Sequence, residues 1–102
     1  MSSAGCCVWN NYSLNGVMST RHELERTLRR YERLPQYTSF VSQIIESIHF
    51  VRQFESDLTN YHYRNIDTKY MKDNYDLKRL SDQFNKVRQI YNYDDRLRES
   101  NT

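Results

Sequence analysis

The stretch FVSQIIESIHFVRQFESDL, residues 40–58, decides the fold. Phe40, Val41, Ile44, Ile45, Ile48, Val51, Phe54 and Leu58 recur mostly at steps of three and four, which is the rhythm of a helix and not the alternation of a strand. The adjacent pairs 40/41 and 44/45 widen this apolar face beyond the seam of a two-stranded coiled coil. A helix of this kind is expected to touch two neighbours.

Downstream, Tyr63, Ile66, Tyr70, Asp73, Leu77, Leu80, Phe84, Val87 and Tyr91 also alternate steps of three and four, with Asp73 the one polar member. The two stripes do not join without an inserted residue near 59–63. Asn60, Asn65, Asp67 and Thr68 surround that slip. Asn tolerates the left-handed conformation that ends helices, and Asp or Thr caps a following one, so a turn is expected across 65–68. Two helices of matched length would then fold back as an antiparallel hairpin. Without the turn, residues from about 39 to 96 form one long stuttered helix.

Upstream, Leu24, Leu28, Tyr31 and Leu34 form a narrower stripe that ends at Pro35. Thr20 with Glu23 three residues later matches a capping box, which predicts a helix over 20–34. Residues 1–19 mix Ser, Asn and Gly with apolar residues at no sustained period, and Asn15-Gly16 is a turn signal. They read as an irregular arm.

The expected architecture is all-α: a short N-terminal helix plus a long helical hairpin, as a three-helix bundle or a coiled-coil-like assembly. One helical domain covers 20–96, with helices at about 20–34, 39–64 and 68–93, and a frayed tail at 97–102. The composition agrees. Gly5, Gly16 and Pro35 are the only residues of their types, and none lies beyond position 35 in a chain of 102 residues. A sheet protein would need more turn-forming residues than this. The hydrophobic share of 37% is thin, so a free-standing core would be marginal and a partner is expected to complete it.

Chemistry is sparse. A glycine-rich phosphate loop has no glycines to build from, and His22, His49 and His62 do not stand at metal-ligand spacings. Asp94-Asp95 has no apolar pocket to separate the two titrations. No enzyme, cofactor or metal is expected. Cys6 and Cys7, neighbours in sequence, make no disulfide framework and point to a reduced intracellular, cytoplasmic setting; beside Val8-Trp9 they are also candidates for acylation and peripheral membrane contact. No run approaches the roughly 20 apolar residues of a membrane span.

The functional expectation is a non-enzymatic adaptor or scaffold subunit that binds partner helices, or its own copy, through apolar seams. The candidate interface is Ile44, Ile48, Val51, Phe54 and Leu58 on one helix with Leu77, Leu80, Phe84, Val87 and Tyr91 on the other. The alternative is a peripheral binder of RNA or anionic membrane. Its candidate anion contact is Arg26, Arg29, Arg30 and Arg33, which share one side of the first helix. A net charge of only +2 makes nucleic acid the less favoured partner.

Overall fold

Ser13 begins the first helix. Its Oγ accepts a hydrogen bond from the Gly16 N–H at 3.0 Å, and α1 runs Leu14–Tyr31. The helix thus starts a turn and a half before the Thr20–Glu23 box, whose side chains do other things: Thr20 Oγ1 donates to the Gly16 carbonyl and Glu23 pairs with Arg26. Gly16 is a helical residue here and not part of a turn. A Cβ at position 16 would stand 2.9 Å from Ser13 Oγ, so the glycine leaves room for the cap.

Residues 8–100 are described by the structure, a computed structural model, and all its regular elements are helical. α2 spans Thr38–His62, α3 Thr68–Asn74 and α4 Leu77–Ser100, with short 3-10 turns at Val8–Asn11 and Pro35–Tyr37. The 3-10 turn fits proline's fixed φ and missing N–H, since Pro35 takes its first position.

Two breaks rule out the single stuttered rod. Past the end of α2, Arg64 has a left-handed φ of 63°, and the Asn65 N–H reaches back to the Asn60 carbonyl at 2.8 Å. That closure satisfies the carbonyls a helix end leaves open. Asp67 then caps α3 by accepting from the Tyr70 N–H at 2.9 Å. The second break, at Tyr75 and Asp76, splits the expected 68–93 helix. Asp76 caps α4 through the Arg79 N–H at 2.8 Å, while Tyr75 leaves helical geometry and turns its ring fully inward.

Ring and ion contacts set the directions. Tyr31 meets Phe40 and Arg21 meets Glu55, so α1 and α2 are antiparallel. Phe40 meets Tyr93 and Phe54 meets Phe84, so α4 runs back along α2. Arg30 and Tyr31 reach Asp94 while Tyr12, just before α1, stacks on Phe84, so α1 and α4 run the same way. The result is an up-down-up helical bundle.

The N-terminal segment belongs to that bundle. Trp9 is wholly buried, edge-on to Tyr61 at 4.8 Å, and Val17 is buried as well. From residue 8 onward the expected irregular arm is therefore packed structure, and Cys6 and Cys7 lie outside the described residues. At the other end, α4 continues to Ser100, and Leu97 packs on the core.

Two aspartates are buried with the apolar side chains. Asp57 accepts from the hydroxyls of Tyr75 and Tyr70, the latter at 3.2 Å, and from the Gln53 amide at 3.1 Å. Asp94 accepts from Tyr31 at 2.6 Å and from Arg30 at 2.9 Å. Each carboxylate ties two or more elements together and is hydrogen-bonded where it is buried, which is what makes its burial tolerable.

Candidate docking groove between α2 and α4

Most of the candidate interface lies inside the chain. Ile44, Val51, Phe54 and Leu80 are wholly buried, Ile48, Leu58 and Val87 nearly so, and Phe84 and Tyr91 half-buried. They form the intramolecular core. Leu77 alone of the ten is well exposed, at 57%. The break at Tyr75–Asp76 takes it off the seam, and the repeat that runs from Tyr63 through Tyr70 to Leu80 in sequence is interrupted by helix breaks, so Tyr63 and Tyr70 are exposed too.

The four arginines are not one free face either. Arg30 points inward to the buried Asp94, and Arg26 pairs with Glu23 at 3.3 Å. Arg29 and Arg33 are exposed, with no hydrogen bond or ion pair among the described residues. Arg21 and Arg52 are committed to an α1–α2 network with Glu25 and Glu55. The Arg52 hydrogen bond holds the Glu25 carboxyl below its ordinary range.

The structure brings together a different surface. A groove of about 540 Å³ runs between α2 and α4. Its α2 wall carries Gln43, Glu46, Ser47, His49, Phe50 and Gln53; its α4 wall carries Arg79, Gln83, Lys86, Gln89 and Ile90. Ser47, Phe50 and Ile90 are buried and make the floor, while most of the rim is exposed. The groove lies on a different flank of α2 from Arg52 and Glu55, which pair with α1. At one end the Arg79 guanidinium sits 5.1 Å over the Phe50 ring and 5.3 Å over the Tyr75 ring, and donates to the Asn74 carbonyl at 2.7 Å.

Phe50 and Ile90 escape the sequence reading because each stands one residue off a stronger stripe, beside Val51 and Tyr91. A second, weaker rhythm does carry them: Ser47, Phe50, Phe54 and Gln83, Lys86, Ile90 each step by three and four. Its polar members disguise it.

A larger hollow of about 780 Å³ surrounds the α2–α3 turn, from Tyr61 to Tyr70. None of its lining residues is buried, so it offers no desolvated floor to a ligand.

The chemistry of the buried polar groups is that of locks. Burial, followed by the hydrogen bond to Asp94, pushes the Tyr31 phenol up to about 12. Burial does the same to Tyr91, also to about 12, and burial with the Asp57 bond raises Tyr75 further. Phenols held protonated in this way donate hydrogen bonds and do not act as bases near neutrality. Among the described residues no group of three His, Cys, Asp or Glu side chains converges to hold a metal, and no helix is long and apolar enough to cross a membrane.

These features define a helical bundle with a groove between α2 and α4. The chain matches no protein-family model, no curated protein and no solved structure.

Proposed function

We propose that the protein is a non-enzymatic adaptor that receives a helix of a partner protein in the groove between α2 and α4. The observation that supports this reading is the groove itself: buried Phe50, Ile90 and Ser47 at its base lie between walls of amide and charged side chains. An amphipathic helix laid along such a groove buries its apolar face and keeps its polar flanks wet. The groove replaces the seams expected from sequence, because those seams are already covered within the chain.

Replacing Gln83 by a photo-reactive phenylalanine derivative places a probe on the groove wall; the same replacement at Arg29 probes the outer face of α1. Irradiation in living cells should give protein adducts from position 83 that map to one helical segment of a partner, with cross-linked positions three or four residues apart, and none of these from position 29. Adducts spread over unrelated segments, adducts to RNA or lipid, or equal yields from both positions would count against the proposal.

A further inference from the structure

The groove is not electrically neutral from side to side. Both cations that line it, Arg79 and Lys86, stand on the α4 wall, and its one carboxylate, Glu46, stands on the α2 wall. Lys86 and Glu46 have no hydrogen bond or ion pair among the described residues, so their charges are presented to whatever enters. Arg79 is partly engaged by the Asn74 carbonyl, and a guanidinium keeps further N–H donors for another acceptor.

Resting on the docking reading above, we infer that the occupant is an amphipathic helix with carboxylates along the flank facing α4. Its spacing follows from the wall. Arg79 and Lys86 are seven residues apart, two helical turns or roughly 10.5 Å. A partner helix lying along α4 answers both with acidic residues at i and i+7. Large apolar side chains at the intervening steps of three and four reach Phe50 and Ile90. The α2 flank of the same helix carries neutral or basic residues, because a carboxylate there would face Glu46. The charge pattern therefore selects the rotational setting of the helix as well as its composition.

The test uses two labelled synthetic helices, titrated by fluorescence anisotropy against the chain of residues 1–102. One carries Leu at steps of three and four with Glu at i and i+7 on one flank; its twin has Lys for Glu. The acidic helix should bind about fivefold more tightly at low salt, the yield of two exposed pairs, and the preference should shrink as salt screens it. Lys86→Glu should remove or invert the preference. Arg29→Glu, the same charge change on the outer face of α1, should leave it intact. Equal loss in both variants would mean attraction by overall charge and would overturn the inference. If both helices bind alike and Gln83→Trp blocks both, the groove is a docking site without charge selection, and this inference alone fails. Binding of neither helix defeats the docking reading with it.

Discussion

Tyr75 shows how one side chain reorganises the chain around it. It is 1% exposed, its hydroxyl donates to the buried Asp57, and the helix breaks at that residue. Phenylalanine fills the same space but leaves Asp57 with only Tyr70 and Gln53. A hydrogen bond to a charged group contributes about 1.5–3 kcal/mol, and Tyr75→Phe should lose stability of that order in urea titration. Tyr70→Phe should lose less, under about 1 kcal/mol, since Tyr70 is 38% exposed and its bond is longer. Equal losses would mean that the hydroxyl at 75 has no special weight. Arg64 tests the backbone alone: a left-handed residue at a helix C-terminus favours glycine, so Arg64→Gly should stabilise by up to about 1 kcal/mol. A destabilised glycine variant would show that the arginine side chain supports the turn.

At the scale of elements, the start of α1 sets two effects of similar size against each other. Alanine gains about 1 kcal/mol over glycine within a helix, but at position 16 its Cβ meets the capping oxygen of Ser13, and loss of that cap costs about 1 kcal/mol. Gly16→Ala should therefore be close to neutral in the native chain and stabilising by about 1 kcal/mol in a Ser13→Ala background. Equal effects in both backgrounds, read by thermal melts of all four proteins, would refute the coupling. The same helix marks what sequence reveals and what it hides. The α2 stripe was legible because eight apolar residues keep step through one uninterrupted helix, and the all-α class followed from the absence of Gly and Pro after position 35. The caps of α1 and α4 were not. Ser13 and Asp76 lie among other polar residues, and Leu77 keeps a heptad step that the break at Tyr75–Asp76 makes meaningless. The groove was harder to read, because the weaker three-and-four rhythm that carries Ser47, Phe50 and Ile90 is mixed with polar residues and lies one position off the stronger stripes.

For the whole molecule, the decisive matter is how 37% hydrophobic residues close a core. Tyrosines supply much of the answer, since Tyr31 and Tyr75 are buried with their hydroxyls bonded to buried aspartates. That design has an alkaline limit. An exposed tyrosine in the unfolded chain ionises near about 10, while Tyr31 and Tyr91 are held up to about 12 in the fold. The stabilisation is thus fully present below about pH 10 and lost as pH rises through the folded values, because the unfolded chain releases those protons first. Tyrosinate absorbance followed beside circular dichroism should show part of the phenol titration delayed until helix is lost; early, complete titration with the helices intact would contradict the burial. The closed core also changes what is expected of the isolated protein. With the apolar seams covered internally, the helical signal and melting midpoint should not move over a hundredfold range of concentration. A groove ligand should raise that midpoint. At a hundred times its dissociation constant, a ligand that binds only the folded state adds about 2.7 kcal/mol, and in a domain of this size each kcal/mol shifts the midpoint by about 4–8 °C. A midpoint that climbs with protein concentration alone would show that the chain completes its own core by self-association, and the groove would then be the first place to look for the second copy.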